Sequence, residues 1–85
     1  MKRITIYSGH PCSYCESAKA LLKSKNLKFE EFDIWKEPEK AKEMLKRTNG
    51  ARTIPQIFIE NHYVGGNDQL QELNRSGELD KLLKE

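Results

Sequence analysis

Within its first 34 residues the chain runs through a β pattern, a breaker, a helical pattern and a second β pattern, and this succession limits the possible folds most sharply. Ile4, Thr5, Ile6 and Tyr7 alternate and are β-branched or aromatic, which predicts a strand over residues 2–7 that stops at Ser8-Gly9-His10-Pro11. From Ser13 to Lys25 the apolar residues Ala18, Leu21 and Leu22 recur at helical spacing beside Cys15, so an amphipathic helix ends near Asn26. Phe29, Phe32 and Ile34 then suggest a second strand. Strand, helix and strand in that order form a right-handed crossover with two parallel strands, the beginning of an α/β or α+β layered domain.

The rest of the chain extends this unit. Pro38, with Glu37 before it, suits the first turn of a second helix, whose inner face is marked by Ala41, Met44, Leu45 and Thr48 and which stops at Asn49-Gly50. Ile57-Phe58-Ile59, the turn Glu60-Asn61-His62 and Tyr63-Val64 read as a hairpin broken by Gly65-Gly66. Leu70 and Leu73, then Leu79, Leu82 and Leu83, mark two short helices separated by Ser76-Gly77. The order is βαβαββα with the last helix split. No repeat, linker or low-complexity tract interrupts the 85 residues, so residues 1–85 are expected to form a single domain. A domain of this size buries only roughly 60 to 70% of the surface its unfolded chain exposes, so most apolar side chains are needed in the core.

Composition removes several function classes. Lys and Arg total 15 against 13 Asp and Glu, a net charge of +2, and the signs alternate. Even the densest basic stretch, Lys36, Lys40, Lys42, Lys46 and Arg47, is diluted by Glu37, Glu39 and Glu43, so no nucleic-acid partner is expected. No apolar run approaches the ~20 residues that span a bilayer, and MKRITIYS lacks an apolar signal region. The expectation is a cytoplasmic protein without a membrane partner. In that reducing compartment a CxxC pair is more often redox-active or metal-binding than a permanent staple.

Cys12 and Cys15 form such a pair. A disulfide between them closes a loop too short to contribute much stability, so its value lies in reactivity. Cys12 falls where the strand ends and the helix begins, so unpaired first-turn amides and the positive end of the helix dipole favour its thiolate. A thiol lowered from about 8.5 toward neutrality attacks disulfides at cellular pH. Cys15, one turn into the helix on the same side, reaches the Cys12 sulfur from a more buried position and suits a resolving thiol. Pro11 restricts the approach of the chain, and Tyr14 either walls the site or covers core. The competing reading is half a zinc site completed by His10 and His62; it needs two histidines from distant loops and has no second CxxC beside it.

CSYC after a first strand, TIPQIFI at residues 53–59 and GGNDQL at residues 65–70 resemble the glutaredoxin family in order and spacing over nearly the whole chain. The resemblance implies a thioredoxin-like α/β fold, a four-stranded mixed sheet flanked by helices. It implies a glutathione-dependent enzyme that reduces disulfide-bonded or glutathionylated proteins, with Cys12 as nucleophile and Cys15 resolving. It further implies that Ile54-Pro55 is a cis peptide facing Cys12, leaving the Ile54 amide and carbonyl free to pair with glutathione like an added strand. Thr53 and Tyr14 belong to the same groove.

Glutathione is an anionic tripeptide, so the implied site needs donors for two carboxylates. Gly65 and Gly66 allow close approach, and the amides of Asn67 and Asp68, opening a helix, suit the γ-glutamyl carboxylate, while Asp68 can take the ligand's amino group. The plainer alternative is a helix cap by Asn67 or Asp68. Lys42 either binds the glycyl carboxylate or is one exposed lysine among several.

Two positions depart from the commonest family pattern: Ser13 replaces a proline and Gly9 replaces a lysine. Both bear on thiolate tuning, since a lost cation removes one source of stabilisation and a serine hydroxyl restores part of it. Ser13 also occurs in relatives that hold a [2Fe-2S] cluster between two subunits through the first cysteine and bound glutathione. An iron-sulfur carrier with Cys12 as ligand is therefore the alternative function; otherwise no metal and a monomer are expected. A third option is a redoxin served by a thioredoxin-type reductase, against which the GGND turn speaks.

Overall fold

The expected crossover is present in a computed structural model that describes residues 2–84 of the expected 1–85 domain. Strand β1 (Ile4–Ser8) leads into helix α1 (Ser13–Ser24) and returns as β2 (Glu30–Asp33), parallel to β1. Helix α2 (Pro38–Arg47) follows, then β3 (Gln56–Ile59) antiparallel to β1, and β4 (His62–Gly65) antiparallel to β3. Helices α3 (Asn67–Ser76) and α4 (Glu78–Lys84) close the chain, split at Gly77, whose left-handed φ of 85° caps α3. The sheet has four strands in the order β2-β1-β3-β4, the mixed α/β architecture expected.

Side chains alternate across a strand, and here both faces are covered. Ile4 and Ile6 join Ile57, Ile59 and Val64 beneath Ala18 and Leu22 of α1, Leu70 of α3 and Leu79 of α4. On the other face Tyr7 and Phe58 meet Met44 of α2. All five residues of β1 are therefore buried. Helix α2 departs from expectation: of Ala41, Met44, Leu45 and Thr48 only Met44 is fully covered, because one small aromatic cluster is all it packs on. Strand β2 is likewise thinner than expected, with Phe29, Phe32 and Ile34 half-buried at the sheet edge.

The register matters for function. Ser8 stands opposite Asp33, Tyr7 opposite Gln56, and Ile57 opposite Gly65. The segments that follow β1, β2 and β4 and the segment that precedes β3 thus all emerge at one end of the sheet. A partly exposed bridge supports that end. The Ser8 hydroxyl donates to Glu31 at 2.6 Å, and Lys19 of α1 bonds the same carboxylate at 2.9 Å. Burial pushes the Glu31 carboxyl up, but the bonds from Ser8 and Lys19 outweigh it and hold it below its ordinary value; Glu31 in turn raises the Lys19 ammonium.

Candidate active site

Cys12 is the N-cap of α1, in extended conformation, and its sulfur accepts the Cys15 N–H at 3.1 Å. Cys12 is partly exposed and Cys15 fully buried at 0%. The two are joined as a disulfide, with α-carbons 5.3 Å apart. The asymmetry expected from spacing is thus present: one sulfur at the mouth of a helix, its partner one turn inside. The turn before Cys12 holds a feature that sequence did not signal, a cis peptide at His10-Pro11.

Beside this turn lies a groove of about 190 Å³ lined by Tyr14, Thr53, Ile54, Pro55, Gly66, Asn67, Asp68 and Gln69. Tyr14 is 65% exposed, so it walls the groove and does not cover core. Ile54-Pro55 is cis, as the resemblance implied. Strand β3 begins at Gln56, which leaves the Ile54 backbone outside the ladder. Opposite it, α3 opens with Gly66 as N-cap, so neither Asn67 nor Asp68 caps it. The Gly66 N–H instead donates to the Gln69 side chain at 2.9 Å, and Asn67 accepts from Gln71 at 3.1 Å. First-turn amides of such a helix have no intrahelical acceptor, and here Asn67 and Asp68 of that turn line the groove. Gly65 has φ 112°, a conformation that favours glycine, whereas a β-carbon on Gly66 meets its neighbours at ordinary contact distances of 3.4 Å.

Lys42 is exposed on α2 and does not line this groove. Gln56, absent from the sequence expectations, holds the groove's edge: buried at 4%, it donates to the Thr53 carbonyl at 2.8 Å and hydroxyl at 3.1 Å. Its side-chain oxygen accepts from the Tyr63 hydroxyl. A polar residue inside an apolar strand was the available signal, since buried polar groups need partners. For Gln69 the signal was its place three residues after Gly66, where a side chain reaches back to the N-cap amide.

A roomier depression of about 410 Å³ lies on the α2 face, lined by Arg3, Lys40, Arg47, Glu30, Glu43 and Glu60 among others. It contains no cysteine, so chemistry and not volume locates the site. Among the described residues no group of three or more His, Cys, Asp or Glu side chains is placed to hold a metal ion, so His10 and His62 do not complete a zinc set. With Cys15 buried, Cys12 is the one cysteine open to an external cluster.

An open four-stranded mixed sheet with a CxxC pair at a helix mouth and a cis-proline loop at the same end of the sheet defines a thioredoxin-like thiol-disulfide oxidoreductase. The glutaredoxin family model matches residues 4–64, and the chain belongs to that family. Glutaredoxin 3 of Escherichia coli K12 is 46% identical over 84 residues, covering 99% of this chain and all of that protein. The solution structure of glutaredoxin from Brucella melitensis superposes with a TM-score of 0.83 at 45% identity, covering 99% of this chain and 90% of that one. A crystal structure of a buckwheat glutaredoxin-glutathione complex superposes with a TM-score of 0.86 at 26% identity, over 98% of this chain and 77% of that one. Among the described residues no helix is long and apolar enough to cross a membrane.

Proposed function

We propose that residues 1–85 act as one monomeric domain that reduces glutathione mixed disulfides and protein disulfides at the expense of glutathione. The observation that carries this reading is the placement of Cys12, with its sulfur at the N-cap of α1 within 3.1 Å of the Cys15 amide and the Tyr14 groove alongside. Glutathione lies in that groove, its γ-glutamyl carboxylate at the amides of Asn67 and Asp68, its amino group at the Asp68 carboxylate, and its cysteinyl backbone on Ile54. Tyr14, Thr53, Pro55 and Gly66 complete the walls. The buckwheat complex supports the assignment as a relative that binds this tripeptide.

The Cys12 thiolate attacks the glutathionyl sulfur of a mixed disulfide. A new sulfur-sulfur bond forms, the old one breaks, and the target leaves as a thiolate that takes a proton from water. A second glutathione thiolate then attacks the same sulfur, releasing glutathione disulfide and free Cys12. With a protein disulfide the first product is an enzyme-substrate mixed disulfide, which Cys15 resolves, and two glutathione molecules reduce the Cys12–Cys15 bond. Such a cycle runs in a reducing glutathione pool, which supports cytoplasmic placement. An iron-sulfur cluster is not part of this reading, since the cycle needs only the Cys12–Cys15 pair and glutathione.

The test is turnover of the glutathione–2-mercaptoethanol mixed disulfide coupled to glutathione reductase. Cys12→Ser is expected to abolish turnover, whereas Cys15→Ser keeps it and loses reduction of protein disulfides. Full activity of the Cys12 variant, or none in the wild type, overturns the assignment.

A further inference from the structure

We infer that Trp35 is a specificity-determining residue for the polypeptide half of a mixed disulfide, favouring targets with an aromatic or large apolar side chain next to the reacting cysteine; this rests on the glutathione-dependent reading above. Trp35 is 58% exposed, yet its position is fixed. A β-carbon on Gly9 would lie 2.7 Å from Cδ2 and from Cε3 of the indole and 2.9 Å from Cδ1 of Ile54. The six-membered ring therefore rests on the Gly9 backbone, next to Ile54, and position 9 admits no side chain while the indole is there. Gly9 precedes Cys12 by three residues.

The main chain around the indole is equally restrained. Asp33 Oδ1 accepts the N–H of Trp35 at 2.9 Å and of Lys36 at 3.3 Å, and the Ile34 N–H donates to Ser8 at 2.9 Å. An aromatic ring already held in place loses little freedom when a ligand covers it, and tryptophan in such a position contributes strongly to recognition.

Location selects the occupant. Trp35 follows β2 and α3 follows β4, and the strand order β2-β1-β3-β4 puts them at opposite sides of the sheet end, with Cys12 and Ile54-Pro55 between. The groove reaches from Tyr14 to Asn67 and Asp68 and does not include Trp35. With the glutathionyl half in that groove, the polypeptide half that leaves the glutathionyl sulfur lies on the other flank, where the open indole is the large apolar group on offer.

Two glutathionylated peptides that differ only in Phe or Ser beside the cysteine test this directly. Stacking of an aromatic pair gives the wild type a kcat/KM about fivefold higher for the Phe peptide. Trp35→Ala brings the ratio close to one by lowering the Phe peptide alone, and Trp35→Phe keeps most of the preference. Gly9→Ala, which displaces the indole without altering it, also removes the preference. A wild-type ratio near one, a ratio that survives in Trp35→Ala, or an equal loss on both peptides overturns the inference. If the wild type fails on the glutathione–2-mercaptoethanol disulfide as well, the glutathione reading itself falls.

Discussion

The face of the sheet that carries α1, α3 and α4 and the face that carries α2 are built from different interactions. On the first, nine buried apolar side chains form one continuous cluster under three helices. On the second, three buried residues form the core, and polar contacts do much of the joining. The Tyr7 hydroxyl donates to Glu43 and accepts from Arg47 at 3.1 Å, while Lys40 bonds Glu43 at 3.3 Å. Arg47 also sits 3.8 Å from the Phe58 ring centroid and Lys40 sits 4.0 Å from that of Phe32. Burial raises the Tyr7 phenol, and the bond from Tyr7 holds the Glu43 carboxyl below its ordinary value. The residues of the proposed site belong largely to helices of the first face: Cys12 opens α1, and Asn67 and Asp68 open α3. The two helix ends of the proposed site are thus anchored on the larger apolar cluster.

Ways to break this contrast begin with the apolar face. Leu22→Ala removes a fully buried side chain beneath α1 and is expected to cost about 3 kcal/mol in denaturant unfolding. Met44→Ala, beside the open depression of the α2 face, is expected to cost less, about 2 kcal/mol, because that face can relax around the gap. Equal losses would mean that the α2 face is as tightly packed as the other.

Acid sharpens the contrast next. Glu31 and Glu43 both sit below the ordinary value of 4.5, so they bind protons less readily folded than unfolded. Their stabilisation is therefore complete above that value and is lost as pH falls through the lower folded values. Thermal unfolding measured against pH is expected to show a decline below about 4.5, with Glu43→Gln and Glu31→Gln each flattening it. On the α2 face the apolar reserve is smaller, so amide exchange there is expected to accelerate first. The smallest effect belongs to Lys42→Ala: an exposed charge outside the groove is expected to change KM for glutathione by no more than about twofold.

Much of this was legible without coordinates because it is local. Periodicity at residues 4–7, 18–22 and 57–59 marks the strands and the helix, and cysteine spacing dictates that one sulfur caps a helix while the other sits a turn inside. The cis bond at Ile54-Pro55 came only through family likeness, and that at His10-Pro11 not at all, since no short-range pattern distinguishes the isomers. The exposure of Tyr14, the sparse contact of α2 and the seat of Trp35 on Gly9 were decided by tertiary structure. Each depends on which residues distant in the chain arrive at the same end or face of the sheet, and strand order and register, not the local run of residues, determine that.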